Sequence, residues 1–423
     1  MGLRVSALAS LSLVLLATVL LSSCGSESSG PAKLNWFIAI QPGGSIEDVA
    51  ERCTKESGGR YEIEVNALPT DASQQREQLV RRLAANDSSV DLVGMDVIWT
   101  AEFANADWIK PWPENLRQQV TESVFPSVIE TASFEGDLYG APFNSNTQLL
   151  WYRKDLVSNP PTTWDQMIDQ AEELGPDKGG IVQVAGANKY EGYTAWVNTM
   201  IESAGTQILS DQDEVELQRK PTEEALAVIG RLANSPVAPT DLSTSDEDTA
   251  RLGFEAGDSA FQLNYTFAYG SAQEEAPDVG KEMGFARYPE VVEGEPSKPQ
   301  LGGFNIGVGS YSKYPDQAFE AAACVSNEDS QLTATELDGL PPSRSNLYTD
   351  KVVTEAYPGF APLVQKSIED AAPRPQAPAY QDVSLAIQSA LHPPSKIDPE
   401  DPAAAYDELR GLLEDAVNRE GVL

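Results

Sequence analysis

Strand-like and helix-like hydrophobic patterns alternate along the first third of the chain. The run KLNWFIAI, residues 33–40, is predominantly apolar, as in a strand that is covered on both faces of its sheet. Ser45 is a candidate cap for a helix whose apolar side chains recur at helical spacing, at Ile46, Val49, Ala50 and Cys53. The predicted elements are a strand over 33–40, a helix over 46–55, a strand over 61–68, a helix over 73–87 and a strand over 90–100. This β-α-β-α-β order predicts a mostly parallel, doubly wound sheet whose ligand edge lies at the carboxyl ends of the strands.

Helical patterns dominate the middle of the chain. The predicted elements there are helices over 164–174, 194–204 and 248–257, a strand over 259–267 and a return segment that begins at 301–310. Gly257 is a candidate C-cap for the third of these helices. A proline-rich stretch, AAPRPQAPAY, precedes the final helices. A chain of 423 residues exceeds what one hydrophobic core usually serves, so the patterns predict an α/β protein of two lobes.

The N-terminus has the features of a secretion signal. Arg4 precedes an apolar run from Ala7 to Leu21, which has the length of a signal-peptide core and is short for a membrane span. The sequence LSSC, ending at Cys24, resembles the lipobox of bacterial lipoproteins. We therefore predict a signal peptide over 1–23, a lipid on Cys24 and a flexible tether over 24–32. The alternative is an ordinary secreted protein in which Cys24 has no special role.

Two cysteines remain once Cys24 is assigned to lipid. Cys53 and Cys324 both lie on predicted helices, and an even pair is expected in an oxidising compartment. We predict a disulfide between them, which would join elements that are far apart in the sequence. Two unpaired, buried thiols are the alternative.

Charge and catalytic residue types narrow the function. The chain has 29 Lys and Arg against 65 Asp and Glu, a formal net charge of -36, which disfavours nucleic acid as a partner. His392 is the only histidine, so triads built on histidine are not expected, and no His/Cys cluster or Walker loop predicts a metal or nucleotide cofactor. Carboxylates are numerous enough that a glycosidase pair stays open.

The polar residues Asn144–Gln148 directly precede the apolar run Leu149–Tyr152, in a region whose pattern is otherwise that of a domain core. Buried amides and hydroxyls need partners, so this cluster is either a satisfied structural network or a surface that a polar ligand completes. Polar side chains also stand near aromatic ones at several predicted strand ends, in the pairs Asp96 and Trp99, Asn146 and Trp151, Asn264 and Tyr265, and Gly303 and Phe304. Sugars need both kinds of group, since their hydroxyls form hydrogen bonds and their ring faces pack on aromatic rings.

Six segments resemble the solute-binding lipoproteins of sugar ABC importers, the family of the maltose-binding protein. They are DLVGMDVIWTAEFANADWIKPW, YGAPFNSNTQLLWYRKDLVSNPPTTWDQM, RLGFEAGDSAFQLNY, MGFARYP, GGFNIGVGS and LPPSR. Within the family the chain is most similar to the mycobacterial trehalose-binding lipoproteins, at DVIWTAEFA, NTQLLWYRKDLV and AAPRPQAPAYQDVS. The resemblance implies a maltose-binding-protein-like fold with crossing hinge strands, an N-terminal lobe over 33–142 and 300–342, and a C-terminal lobe over 143–299 and 343–423.

The resemblance also implies a set of ligand-binding residues. Hydrogen bonds to the sugar would come from Asp96, Asn146, Glu247 and Arg374, an aromatic platform from Tyr265, and backbone contacts from Gly303 and Phe304. The sequence departs from the trehalose-binding pattern at IQPGG, residues 40–44, where an acidic contact is expected and Gln41 would take its place.

The function implied is that of a non-enzymatic receptor. It would be a monomer, anchored by lipid at the extracytoplasmic face of the cell membrane, that passes trehalose or a related α-linked disaccharide to ABC permease subunits driven by a cytoplasmic ATPase. A binder of an amino sugar, a polyol or a glycerophosphodiester, and a lipid-anchored glycosidase, are the alternatives.

Overall fold

The computed structural model describes residues 30–69, 71–210 and 212–418. The predicted signal peptide, the lipidation site at Cys24 and the tether up to residue 29 lie outside the described residues.

Eleven strands occur in the described part of the chain. They are β1 Ala32–Ala39, β2 Tyr61–Leu68, β3 Leu92–Asp96, β4 Ser133–Phe134, β5 Asp137–Leu138, β6 Gly140–Asn146, β7 Gln148–Arg153, β8 Val182–Val184, β9 Phe261–Tyr265, β10 Met283–Ala286 and β11 Gly302–Val308.

The α-helices of the same residues number seventeen. They are α1 Ser45–Glu56, α2 Ala72–Ala84, α3 Thr100–Asn105, α4 Glu114–Thr121, α5 Pro126–Thr131, α6 Trp164–Leu174, α7 Glu191–Ser203, α8 Arg219–Ala233, α9 Glu247–Glu255, α10 Phe267–Glu275, α11 Pro277–Gly280, α12 Pro315–Val325, α13 Glu328–Asp338, α14 Lys351–Ala356, α15 Ala361–Asp370, α16 Tyr380–Leu391 and α17 Ala403–Asn418.

Two sheets organise the molecule. The first has the strand order β2-β1-β3-β11-β6 and the second the order β10-β7-β9-β8, while β4 and β5 form a separate hairpin. Strands β2, β1 and β3 pair in parallel as predicted, but β11 runs antiparallel to both β3 and β6. In the second sheet only β8 and β9 are parallel. The prediction of a mostly parallel sheet was therefore right for the β-α-β-α-β region and wrong beyond it. Strand β11 follows the second sheet in sequence and returns antiparallel between β3 and β6, and β7 pairs antiparallel with both of its neighbours in the second sheet.

One of the passages of the chain between the two sheets is made by a single residue. Strand β6 belongs to the first sheet and β7 to the second, and only Thr147 separates them. The segment at 341–342 lies beside this crossing, since the Ser145 amide donates to the Pro341 carbonyl at 2.8 Å and Asn144 bridges Pro342. Crossing strands thus lie side by side between the two lobes, which is the arrangement of a hinge.

Several element ends differ from the sequence prediction. The cap of α1 is Gly44 rather than Ser45, and Ser45 is the first helical residue. The carboxylate of Asp338, on α13, accepts hydrogen bonds from the backbone amides of Gly43 at 2.5 Å and Ser45 at 3.1 Å. A distant side chain therefore supplies the acceptor that the helix N-terminus needs, and a local pattern cannot reveal it. Gly257, the predicted C-cap of α9, follows the cap residue Ala256 and has φ +90°.

The predicted disulfide is present. Cys53 on α1 and Cys324 on α12 are bonded across 271 residues of sequence. Both helices pack on the first sheet, where Cys53 is fully buried among apolar side chains. Neither helix contributes a residue to the cavity described below.

Candidate functional site

A cavity of about 200 Å³ lies between the two sheets. All eight residues predicted from the sequence line it, namely Gln41, Asp96, Asn146, Glu247, Tyr265, Gly303, Phe304 and Arg374. The other lining residues are Ala72, Asn144, Tyr190, Glu191, Gly192, Ala195, Gln300, Gly302 and Leu340. Residues from widely separated parts of the chain therefore meet at one place.

The first sheet positions one wall of the cavity through its strand ends. Asp96 is the last residue of β3 and pairs in register with Phe304, while Asn146 is the last residue of β6 and pairs with Gly302. Gly303 between them has φ +132°, and a Cβ there would lie 2.3 Å from the carbonyl oxygen of Asn144. Only glycine fits such a close approach of two backbones, so this wall is made of backbone as well as side chains.

The polar cluster at the crossing has a mixed role. The Oδ1 atom of Asn144 accepts the Phe304 amide at 3.1 Å, and its Nδ2 donates to the Ser145 carbonyl at 3.1 Å. Asn144 thus connects neighbouring hinge strands, and Ser145 is fully buried away from the cavity lining. Asn146 is half-buried and lines the cavity. Within the cluster, Asn144 both connects the hinge strands and lines the cavity, Asn146 lines the cavity, and the buried Ser145 hydroxyl has no hydrogen-bond partner among the described residues.

An ionic chain crosses the cavity. The Nη2 atom of Arg374 donates to Asp96 Oδ1 at 3.2 Å, and its Nη1 donates to Glu191 Oε1 at 2.5 Å. The side chain of Arg374 is only 4% exposed, against 22% for Asp96 and 13% for Glu191. Buried charges are tolerated when they are paired and hydrogen-bonded, and the two terminal nitrogens of Arg374 meet that condition, whereas its buried Nε has no hydrogen-bond partner among the described residues.

Glu247 provides another carboxylate, on the cavity wall opposite the first sheet. It is the first residue of α9, whose N-cap Asp246 accepts the Thr249 amide. The Tyr190 hydroxyl donates to Glu247 Oε2 at 2.6 Å. Burial raises the pKa of Glu247, against the opposing effect of the Tyr190 hydrogen bond, and burial also raises the pKa of Tyr190. Tyr190 therefore stays protonated and acts as a donor to the carboxylate.

The aromatic residues divide between cavity and core. Tyr265, at the end of β9, and Phe304 line the cavity. The other two predicted aromatic partners do not, because Trp99 stacks on Phe103 in the first lobe and Trp151 donates its Nε1–H to the Asn264 carbonyl at 2.9 Å. Both tryptophans are fully buried, so the idea that they flank a ligand was wrong.

Tyr190, Glu191 and Gln300 line the cavity but were not predicted from the sequence. The helix was expected to start near Thr194, whereas α7 begins at Glu191 and brings this carboxylate to the cavity. The available signal was the position of KYEGY after a short β-branched run, IVQV, because ligand residues gather where helices begin at a sheet's carboxyl edge.

The histidine and the acidic residues do not assemble a metal centre. Within the described ranges, no group of three or more His, Cys, Asp and Glu side chains is arranged to hold a metal ion. His392 follows α16, where its Nε2 lies 3.0 Å from the Ser243 carbonyl and its ring packs on Tyr193. The cavity instead offers carboxylates, amides, one guanidinium and phenols around an aromatic surface, a set suited to binding. In the part of the chain that the structure describes, no helix combines the length and apolarity needed to cross a membrane.

Comparison with known proteins agrees with a binding role. The family model of bacterial extracellular solute-binding proteins matches residues 48–362. A probable ABC transporter-binding protein of Deinococcus radiodurans is 25% identical over 360 residues, covering 81% of this chain and 83% of that protein. A mannitol-binding protein of Pseudomonas aeruginosa is 21% identical over 307 residues, covering 70% of this chain and 69% of that protein.

A solved structure confirms the predicted architecture. Maltose-bound MalE3 of T. maritima matches with a TM-score of 0.79 at 23% identity, covering 91% of this chain and 99% of that one. The two-lobe, maltose-binding-protein-like α/β fold is thus established. Because the family model covers most of its length, the chain belongs to the bacterial extracellular solute-binding proteins, which bind solutes and are not enzymes.

Proposed function

We propose that this protein is the sugar receptor of an ABC importer and captures trehalose or a related α-linked disaccharide between its lobes. The observation that carries the proposal is that all eight residues predicted to bind sugar line one cavity between the two sheets. The lobes close on the ligand around the crossing strands, and the closed complex is passed to permease subunits.

The hydrogen-bonding groups of the cavity suit a polyhydroxylated ligand. Asp96 and Glu247 accept hydrogen bonds, Arg374 donates them, and Gln41 and Asn146 can do both. Tyr265 and Phe304 add aromatic surface for the apolar face of a sugar ring. A ligand with too few hydroxyls leaves some of these buried groups unpaired, which is the basis for selectivity.

The charge of the cavity disfavours phosphorylated solutes. Three carboxylates line it, those of Asp96, Glu191 and Glu247, while Arg374 is the cation among the described lining residues. The guanidinium is already paired with two of the carboxylates. An added phosphate would meet uncompensated negative charge, so a neutral solute is favoured over a glycerophosphodiester.

Trehalose follows from the resemblance of the binding residues, and Gln41 is where the chain departs from it. A polyol is the second candidate, because the Pseudomonas aeruginosa relative is a mannitol-binding protein. Gln41 lines the cavity and is a neutral amide. Its Nε2 lies 3.4 Å from the Ala39 carbonyl. An amide both donates and accepts hydrogen bonds, whereas an ionised carboxylate only accepts them. Gln41 can therefore bind a wider range of hydroxyl orientations than an acid at this position.

The location and partners belong to the same proposal. We place the protein at the extracytoplasmic face of the cell membrane as a monomer, held by lipid on Cys24 through the tether at 24–32. The N-terminal lobe comprises 33–142 and 300–342, and the C-terminal lobe comprises 143–299 and 343–423. Changing Cys24 to Ala should release the protein from membranes into the medium, and unchanged membrane association would contradict the anchor.

Calorimetric titration tests the ligand. The protein expressed from residue 25 onward, which keeps every described residue, is titrated with trehalose, maltose, mannitol and glycerol 3-phosphate. We expect heat with trehalose, a loss of binding in Asp96→Asn, and unchanged binding in Glu172→Gln, the same chemical change at an exposed position of α6. Binding of mannitol alone would favour a polyol receptor. Preference for glycerol 3-phosphate, or silence with all four solutes together with no shift in Tm, would contradict the proposal.

A further inference from the structure

Glu191 accepts hydrogen bonds from three side chains of one distant segment. Its Oε1 receives the Arg374 Nη1–H at 2.5 Å and the Tyr380 hydroxyl, and its Oε2 receives the Ser384 hydroxyl at 2.7 Å. Tyr380 and Ser384 lie one turn apart on α16, and Arg374 lies in the loop before it. Glu191 also begins α7, where the helix N-terminus favours negative charge.

Arg374 connects Glu191 to the lobe that contains the first sheet. Its Nη2 reaches Asp96 at the end of β3, in the first sheet, whereas Glu191 lies on α7, whose apolar face packs in the core of the second sheet. The chain Glu191–Arg374–Asp96 therefore spans the cavity from one lobe to the other. Its three residues lie on three different segments of the chain, namely β3, α7 and the loop before α16.

The geometry makes Glu191 the residue that directs the guanidinium. Arginine has a long, flexible side chain. Its planar guanidinium therefore keeps one orientation only when a hydrogen-bond partner holds one of its edges. Glu191 fixes the Nη1 edge and is itself fixed at both oxygens by Tyr380 and Ser384. The Nη2 edge is then left to face Asp96 and the cavity. Removing the carboxylate frees the guanidinium to turn away while leaving Asp96 in place.

We propose that Glu191 is a positioning residue that holds Arg374 across the cavity, so that closure of the lobes and capture of ligand depend on a carboxylate that acts through Arg374. The statement on capture rests on the proposed sugar-binding function, while the statement on closure does not. Glu191 is not one of the eight residues that were predicted to bind the ligand.

The first test measures ligand binding in a double-mutant cycle. Dissociation constants for trehalose, maltose and mannitol are measured by calorimetry in the wild type, Glu191→Gln, Arg374→Met and the double variant, with Glu172→Gln as the exposed control. We expect Glu191→Gln to weaken binding tenfold or more, and the double variant to bind no more weakly than Arg374→Met alone. A Glu191→Gln loss that persists in full on the Arg374→Met background would overturn the proposal, because a purely structural role does not act through Arg374.

The second test does not need a ligand. Small-angle scattering of the same four proteins without solute should give a larger radius of gyration for Glu191→Gln and Arg374→Met than for the wild type, with no further increase in the double variant. An unchanged radius in Glu191→Gln would refute the role in closure. If the wild type binds none of the three solutes, the sugar-binding proposal fails, and this test still decides the role of Glu191.

A milder variant controls for misfolding of Glu191→Gln. Tyr380→Phe removes one donor to Glu191 and keeps the ring that packs against the first lobe. It should weaken binding several-fold, and this loss should also vanish on the Arg374→Met background. An additive loss would again identify a structural effect alone.

Discussion

Removing the Cys53–Cys324 disulfide should lower the stability of the protein strongly. The bond closes a loop of 271 residues. In the chain-entropy description, a loop of this length removes conformational freedom from the unfolded state equivalent to about 5–6 kcal/mol at 25 °C. Native disulfides in smaller proteins contribute about 2–5 kcal/mol when measured, so we expect a loss of about 3–5 kcal/mol here.

The assay is urea unfolding followed by tryptophan fluorescence. The slope is about 3 kcal/mol per molar urea at the upper end for small proteins and increases with protein size, so a loss of about 4 kcal/mol moves the midpoint down by about 1 M. Three samples separate the crosslink from side-chain packing: the oxidised wild type, the wild type kept reduced, and the Cys53→Ala, Cys324→Ala double variant. The reduced wild type keeps both sulfur atoms in place, so its difference from the oxidised form measures the crosslink alone.

The absence of any effect on reduction would refute this reasoning. A reduced wild type whose midpoint equals that of the oxidised protein would mean that the crosslink does not restrict the unfolded chain. A large loss in the double variant but none on reduction would assign the effect to the packing of Cys53, which is fully buried in the first lobe. Ligand affinity should be unchanged in all three samples, since neither cysteine-bearing helix lines the cavity.

Three further changes test individual contacts. Asn146→Ala should weaken trehalose binding about five- to tenfold in a calorimetric titration, the effect of losing about 1 kcal/mol of hydrogen bonding, and an unchanged affinity would remove Asn146 from the site. Burial raises the pKa of Glu247 above its ordinary value of 4.5, so the ionised side chain costs stability as pH rises through and above that value. Glu247→Gln should therefore raise Tm at pH 8 but not at a pH below the ordinary value, and a lower Tm at pH 8 would contradict the sign. Asp338→Ala removes the acceptor for the amides of Gly43 and Ser45, and we expect a loss of about 1 kcal/mol in thermal unfolding, with Asp338→Asn losing less.

Local patterns predicted the elements whose faces are buried in a regular way. The strand at KLNWFIAI and the helix that carries Cys53 lie within one or two residues of their predicted ends, because continuous apolar runs and helical spacing reflect burial directly. The strand expected over 90–100 is shorter, since Asp96 ends β3 and Thr100 already begins α3. A turn with buried tryptophan has the same apolar composition as a strand, so composition could not separate the two.

The candidate site was predictable only where family resemblance supplied the residues. Asp96 and Glu247 look like ordinary surface carboxylates in the sequence, and the pairing of Asp96 with Arg374 joins positions 278 residues apart. Glu191 was not predicted because the helix start was expected near Thr194, and no periodicity along the chain encodes its contacts with α16. The tryptophans were misassigned for the opposite reason, since a polar neighbour in sequence says nothing about which way a ring faces.

The position of β11 has a consequence for how the chain is made and exported. This strand lies in the middle of the first sheet, between β3 and β6, yet it comes more than 150 residues after β6 in the sequence. Until it arrives, β3 and β6 each keep an unpaired edge, so the first lobe cannot complete its sheet while the chain is emerging. Such long-range pairing slows folding. The first lobe therefore stays open during synthesis, a state that suits passage through a secretion channel and needs protection from aggregation until the second lobe has been delivered.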